Sequence, residues 1–362
     1  MSYTAGQYIL LGLAAFAMSG LLTWPVRKLA IAIGAMDRPN LERKTQKEPV
    51  PYLGGVAIAL TILIITYASI AANQPTAEKF TLASQVLIPA SILGLMGLVD
   101  DLKSLAALPR LILQTIAAIV MSLILINTDT MGFAFGNTTV DTIVSILWIV
   151  GICNSINFFD NLDGGAAGTV AAATSGIFLI TFAQRQELIS ALAILTTGAT
   201  LGFLMWNKSP AKIYMGDAGA LFLGIILSTL TIRMNPGLDP NWKSLAIPLI
   251  LLAVPILDTT VAVTSRIYRG LTPFNGGKDH LSHRLVRIGF THRIAAFILW
   301  GASGICATIA YAIYKFPNQL GTELVFATAI AWIGALIFFL RIPSSDIDSY
   351  HQTTTKSGIQ IV

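Results

Sequence analysis

Six aspartates, Asp100, Asp101, Asp160, Asp163, Asp217 and Asp279, stand in the 362-residue chain where an apolar run meets a polar one. Asp100 and Asp101 are adjacent, and two neighbouring carboxylates repel unless a cation sits beside them. Hard oxygen donors of this kind suit Mg²⁺. Asn154, Asn157, Asp160 and Asp163 recur every third residue, a spacing that makes one polar band on a helix. Its amides suit sugar or base edges, and its carboxylates suit a metal or ribose hydroxyls. Gly164 and Gly165 then allow a sharp turn or close packing. Asp217 lies in Met215-Gly216-Asp217-Ala218-Gly219 at the start of an apolar run. It reads equally as a helix cap or as a ligand at a helix start, where phosphate is also favoured; the flanking glycines would let a ligand approach the backbone.

The basic residues complement this set. His280, His283, Arg284 and Arg287 follow i, i+3, i+4, i+7 spacing, with Leu281, Leu285 and Ile288 opposite. The pattern predicts a short amphipathic helix at the interface that presents its cationic side to an anion. Zinc would need further ligands with suitable spacing. Arg43 and Lys44 precede Pro49-Val50-Pro51-Tyr52-Leu53-Gly54-Gly55, whose prolines and paired glycines predict a defined turn. With Lys103 and Lys212, these bases could bind phosphate or simply set topology. Asp258 falls inside an apolar run, where a carboxylate costs roughly 2.5–3.5 kcal/mol and needs a polar partner.

The elements that must position these groups are membrane spans. The chain is 54% hydrophobic and 11% charged, against about a quarter charged in soluble domains. Apolar runs near bilayer length predict an all-α protein with eleven spans, at 5–24, 53–72, 82–99, 109–127, 140–153, 164–183, 188–205, 218–234, 245–264, 294–314 and 323–340. Residues 1–340 are expected to form one polytopic membrane domain that carries the chemistry, and 341–362 a polar tail expected to lack fixed structure. With the loops so assigned, 18 of the 23 Lys and Arg residues fall on one side and 5 on the other. That side is expected to be cytoplasmic, with the N-terminus outside, the C-terminus inside and the polar site on the cytoplasmic face. The N-terminus reads as a retained span. Cys153 and Cys306 lie in apolar stretches and suggest neither a disulfide framework nor a zinc site. Net charge is +5, but the bases sit in short loops, which favours lipid head groups or phosphorylated substrates over nucleic acid.

In chain order, the Val99-Asp100-Asp101 motif, the Asn154–Gly165 run, Met215–Gly219 and the His280–Leu285 loop resemble the polyprenyl-phosphate N-acetylhexosaminyl-1-phosphate transferases of glycosyltransferase family 4. The nearest likeness is to the bacterial undecaprenyl-phosphate GlcNAc-1-phosphate transferases. The resemblance implies attack by a polyprenyl phosphate on the β-phosphorus of a UDP-sugar, releasing UMP, at the bacterial inner membrane. It implies Mg²⁺, or alternatively Mn²⁺, on Asp217 with Asp101. Asp100 and Asp101 would position metal or the lipid phosphate. Asp160, Asp163, Asn154 and Asn157 would surround the nucleotide-sugar, and His280 and His283 would engage the donor. Arg284, Lys103, Lys212, Arg43 and Lys44 would bind substrate. A homodimer is compatible with this reading. Two departures bear on the sugar: Gln46 follows Arg43-Lys44-Thr45 where relatives often have His, and His280-Leu281-Ser282-His283 replaces His-x-His-His. The related muramyl-pentapeptide transferases, with ten spans and consecutive histidines, are the alternative within the family. A transporter is the alternative class, but it would place its polar groups near the bilayer midplane.

Cysteines placed at Lys47, Lys212 and Lys278 are expected to react only with reagent on the cytoplasmic side of sealed cells, and one at Asn137 only from outside. Outside labelling at Lys278 would contradict a one-faced site.

Overall fold

Most of the helices are apolar all round, so they need lipid or one another on every face. The computed structural model describes residues 3–37, 48–73, 75–103, 105–273 and 277–343. Ten of its helices are long and apolar enough to cross a membrane, and a bent pair supplies an eleventh span. They are α1 (Ala5–Ala32), α2 (Gly54–Ala72), α3 (Ala77–Lys103), α4 (Ala107–Asn127), α5 (Thr138–Phe159), α6 (Gly165–Ala183), α7 (Glu187–Asn207), α8 (Gly216–Arg233), the pair α9 (Asn241–Leu251) and α10 (Ala253–Tyr268), then, after the short α11 (Leu281–Arg287), α12 (His292–Lys315) and α13 (Gly321–Arg341). A two-residue ribbon, β1 (Met36–Asp37) with β2 (Val50–Pro51), pairs antiparallel. Arg43, Lys44 and the tail from 344 onward lie outside the described residues.

The expected spans are all present, with three physical corrections. The short fifth run is a full helix, because Asn137 caps its start through Val140 N and the helix continues through Asn154 and Asn157 to Phe159. The polar band is therefore half helical: Asn154 and Asn157 sit on α5, whereas Asp160 caps its end and Asp163 lies in the following turn. The ninth span, expected at 245–264, is two helices, bent by 70° between α9 and α10. Pro255 in the first turn of α10 has no N–H for the Leu251 carbonyl, and its ring crowds that carbonyl, so the helix turns there.

α8 is the centre of the bundle, with nearly every residue from Ala218 to Arg233 buried. α3, α5 and α2 pack around it. At the other extreme, Gly321 is the only buried residue of α13. The closest approaches use glycine. A Cβ on Gly55 would lie 2.1 Å from Gly219 N, and one on Gly97 would lie 2.4 Å from Asp217 O. Small residues let helix backbones touch in lipid, where packing replaces the hydrophobic drive. Here they bring α2 and α3 against the first turn of α8, which carries Asp217. The glycines around Asp217 thus serve helix contact, a use the sequence left unstated.

Gly97→Val should force α3 off α8 and cost about 1–3 kcal/mol, read as a lower thermal midpoint in detergent. Gly304→Ala, with nothing within 4 Å of the new methyl, should stay within about 0.5 kcal/mol of the parent. Equal stability of the two variants would mean that the α3–α8 contact is not tight.

Candidate active site

The end of α3, the start of α4, the end of α5 and the start of α8 meet in one place. The first N–H groups of α8 lack partners within the helix. Asp101 supplies them: its Oδ1 accepts from Asp217 N at 2.9 Å and its Oδ2 from Ala218 N at 3.1 Å. The carboxylate also meets the positive end of the helix dipole. Gly216, at φ +74°, leaves the space, since a Cβ there would lie 2.6 Å from Asp101 Oδ2. Asp101, expected as a metal ligand, is therefore turned into the amino end of α8 as its cap. Asp217 is not a cap, because Met215 holds that position in the chain and the capping bonds come from Asp101.

Asp217 instead reaches across to neighbouring helices. Its Oδ1 accepts from Asn157 Nδ2 at 2.7 Å, and its Oδ2 from Arg110 Nη1 at 3.3 Å. The same Arg110 nitrogen lies 2.7 Å from Asp100 Oδ2, while Asp100 Oδ1 accepts from Leu105 N at 2.6 Å. The carboxyl groups of Asp100 and Asp217 are themselves within hydrogen-bonding reach. One arginine thus stands against two touching carboxylates. Asn154 donates to Gln114 Oε1 and Val150 O, both at 2.8 Å, which ties α5 to α4.

Asp160 and Asp163 hold the turn after α5. Partial burial, with Asp101 and Asp163 nearby, pushes the Asp160 carboxyl up to about 7 despite a hydrogen bond from the Gly216 backbone. Asp163 Oδ2 accepts from Ala211 N at 3.0 Å. Buried Asn207 locks this turn to the Asp217 loop, accepting from Gly164 N at 3.0 Å and donating to Ile213 O at 2.9 Å. On the other side of that loop, Tyr214 N donates to Pro51 O at 2.8 Å, while Gly54 N and Gly55 N donate to Tyr214 O and Met215 O at 2.9 and 2.8 Å. The Pro49–Gly55 segment is the defined turn expected, and it is clamped beside Asp217. Lys212 is exposed, with its Nζ 5.8 Å from the centre of the Trp206 ring. Lys103 is exposed at the end of α3.

The histidine segment differs from its expected form. α11 is one short helix, and His280 precedes it as the cap residue. Asp258, wholly buried on α10, accepts from Leu281 N at 2.7 Å and lies 2.7 Å from His280 Nδ1. This is the partner that an acid inside a span requires. His280 Nε2 lies 3.2 Å from Arg266, which grips Asp279 through two bonds of 2.8 Å. Burial alone would raise Asp279, but the Arg266 pair outweighs it and holds the carboxyl below its usual range. Both ring nitrogens of His280 are occupied, and the residue is buried. Arg284 is likewise buried, donating to the carbonyls of Asp279, Phe339 and Ile342. The cationic face expected to meet an anion is folded inward for Arg284, because the last carbonyls of α13 need donors. His283 is half-buried and forms no hydrogen bond among the described residues; burial, then neighbouring His280, holds it down at about 4 and hence neutral at pH 7. Ser282 Oγ donates to Asn161 Oδ1, and the Phe158 ring lies 6.1 Å from His280, so this segment abuts the α5 turn.

Sequence reasoning passed over Arg110, Gln114, Asn207 and Arg266. Arg110 counted only as a topology-setting charge, and its place beside an acid pair is set by the α3–α4 turn. Asn207 lies just beyond the expected seventh span, 188–205. Arg266 falls two turns after Asp258 on one helix, and that spacing was the signal available for it.

Among the described residues no three His, Cys, Asp or Glu side chains already converge on a metal position. Mg²⁺ commonly takes only one or two carboxylates and fills its shell with water and substrate phosphate. Asp100 and Asp217, touching and opposed by one arginine, fit that donor set.

Removing one member of a buried ion pair costs about 3–5 kcal/mol. Asp258→Ala and His280→Ala should therefore both lower the thermal midpoint strongly. His283→Ala should stay within about 0.5 kcal/mol while losing turnover. A stable His280→Ala protein would show that the buried pair does not hold the segment.

A glycosyl transferase family 4 profile matches residues 83–235, which include Asp100, Asp101, Asn154, Asn157, Asp160, Asp163 and Asp217. A probable undecaprenyl-phosphate N-acetylglucosaminyl 1-phosphate transferase of Bacillus subtilis is 32% identical over 327 residues, covering 89% of this chain and 86% of that protein. A decaprenyl-phosphate N-acetylglucosaminephosphotransferase of Mycolicibacterium smegmatis is 31% identical over 92% of this chain and 89% of its own. An undecaprenyl-phosphate alpha-N-acetylglucosaminyl 1-phosphate transferase of Salmonella typhi is 26% identical over 81% and 80%. At that likeness across most of both chains, with the clustered acids inside the matched segment, this chain belongs to glycosyl transferase family 4.

Proposed function

We propose that the chain transfers GlcNAc-1-phosphate from UDP-GlcNAc to undecaprenyl phosphate at the cytoplasmic face of a bacterial inner membrane. An oxygen of the lipid phosphate attacks the β-phosphorus. The bond from that phosphorus to the bridging oxygen breaks, UMP leaves with the electron pair, and the lipid-linked sugar pyrophosphate remains. The observation that carries the reading is the meeting of Asp100, Asp101, Asp160, Asp163 and Asp217 with Arg110 at one end of a bundle of membrane-length helices. Relatives named for this transfer support it, and the basic side of the loops supports the cytoplasmic placement.

Phosphoryl transfer depends mainly on positioning and charge stabilisation. Asp217 and Asp100 would hold Mg²⁺, which would supply the positive charge that two phosphates need. Arg110 orients both carboxylates and adds charge of its own. Asn157 fixes the Asp217 rotamer. Asp101 keeps the start of α8 in place beneath them. His283, neutral and without a protein partner among the described residues, can donate to or accept from the donor sugar. The lipid phosphate is already an anionic nucleophile, so direct attack requires no covalent enzyme intermediate.

The experiment is UMP release by the purified protein with undecaprenyl phosphate and Mg²⁺, offered UDP-GlcNAc or UDP-MurNAc-pentapeptide. Release is expected with the first donor, with Mn²⁺ replacing Mg²⁺ in part. Asp217→Asn should lose at least about a hundredfold, near 2.7 kcal/mol of barrier, while eluting as folded protein. Absence of UMP release with every donor would overturn the transfer, and preference for the muramyl donor would overturn the sugar.

A further inference from the structure

α13 is the span least held by packing. Gly321 is its only buried residue, so polar ties must set its place. In the turn before it, Lys243 of α9, itself buried, donates to Pro317 O at 2.7 Å. Midway, Trp332 Nε1 donates to Ala253 O at 3.0 Å. At its end, Arg284 of α11 donates to Phe339 O at 2.7 Å and to Ile342 O. Those two carbonyls lie in the last turn of α13 and at its cap, the negative end of the helix dipole.

Arg284 is 1% exposed, and its guanidinium bonds three carbonyls and no carboxylate. Its Nη2 bonds nothing among the described residues. A buried charge needs compensation, and the carboxyl end of α13 provides it. The third carbonyl is that of Asp279, reached by Nε at 2.9 Å. The arginine therefore closes the segment 279–284 on itself and fastens it to α13. Within that segment, His280 and Ser282 have hydrogen-bond partners of their own in Asp258 and Asn161. His283 has none among the described residues, and its nearest ring neighbour is His280 at 6.3 Å. Its place follows from the backbone that Arg284 fixes.

We infer that Arg284 and the carboxyl end of α13 together position His283, which makes the last span a part of the site. The inference rests on the proposed transfer, in which His283 meets the donor. Arg284 is a positioning residue: it is buried, and it acts on the donor through its neighbour in the chain.

The test compares three substitutions in the full chain. Arg284→Met removes the tie and the charge. Arg284→Lys keeps the charge and can reach one carbonyl. Lys243→Met frees the far end of the 21-residue helix, about 30 Å away at 1.5 Å per residue. A small misplacement costs much in rate, so Arg284→Met should lower kcat/KM for UDP-GlcNAc about tenfold, Arg284→Lys about threefold, and Lys243→Met no more than about twofold. In a His283→Ala background, Arg284→Met should cost no more than about twofold further, because a residue that acts through another adds little once the other is gone. A full tenfold loss in that background, no loss in the parent background, or an equal loss in Lys243→Met overturns the inference. A second reading needs no turnover. Carbethoxylation of His283 by diethyl pyrocarbonate, followed by mass spectrometry of its peptide, should quicken in both Arg284 variants and not in Lys243→Met. Arg284→Lys decides by the same comparison if Arg284→Met does not fold. Unchanged His283 reactivity overturns the inference whether or not UMP is released. A parent that releases no UMP, with His283 freed in the Arg284 variants, overturns the transfer and keeps the positioning of His283.

Discussion

The amino end of α8, the central helix, lies at the polar end of the bundle, and the N–H groups of a partly buried helix start cannot be left bare. Asp101 closes two of them from a different helix. That contact sets where α3 ends relative to α8. With it go the neighbouring Asp100, the turn into α4 and the reach of Arg110. The same requirement explains Gly216 and Gly97, which leave room for the carboxylate and for the close passage of α3. Because Asp101 follows Asp100 directly, pinning one leaves the other pointing along the α3–α4 seam, where it meets Arg110 and Asp217.

Charge is distributed over this framework in two unlike ways. Around Asp217 the carboxylates outnumber the cations, an arrangement that favours a further positive ion over protonation or repulsion. Around Asp258 the reverse care is taken: every acid and base meets a partner, from Asp258 through His280 and Arg266 to Asp279. The first set is unfinished and open to ligand; the second is complete and buried. They touch along the turn after α5, where Ser282 meets Asn161 and Phe158 meets His280. The bend before α10 lets a span deliver Asp258 to that boundary, and the Arg284 contacts bind the end of α13 to the same place.

Much of this was legible in the residues themselves. Bilayer-length apolar runs, the asymmetric Lys and Arg loops and six acids gathered at span ends point to a membrane protein with a one-sided polar site. The motifs in their order resemble one enzyme family, to which the chain belongs. Asp258 announced its own need for a partner, because no carboxylate is stable alone in hydrocarbon. These are properties of single segments, and a segment's apolarity, charge and caps are fixed by its own residues.

Only the tertiary structure decided how the polar residues divide their work. Asp101 and Asp217 look alike as acids at span ends, yet one caps a helix and the other faces Asn157 and Arg110. His280 and His283 share a motif, yet one has both nitrogens occupied and the other has none bonded among the described residues. Arg284 belongs to a basic stripe in the sequence and to the carbonyls of α13 in space. Each partner lies 14 to 116 residues away from the group it satisfies. Helical period ranks neighbours within one helix, whereas those partners are chosen by the glycine contacts and the bent span that bring separate helix ends together.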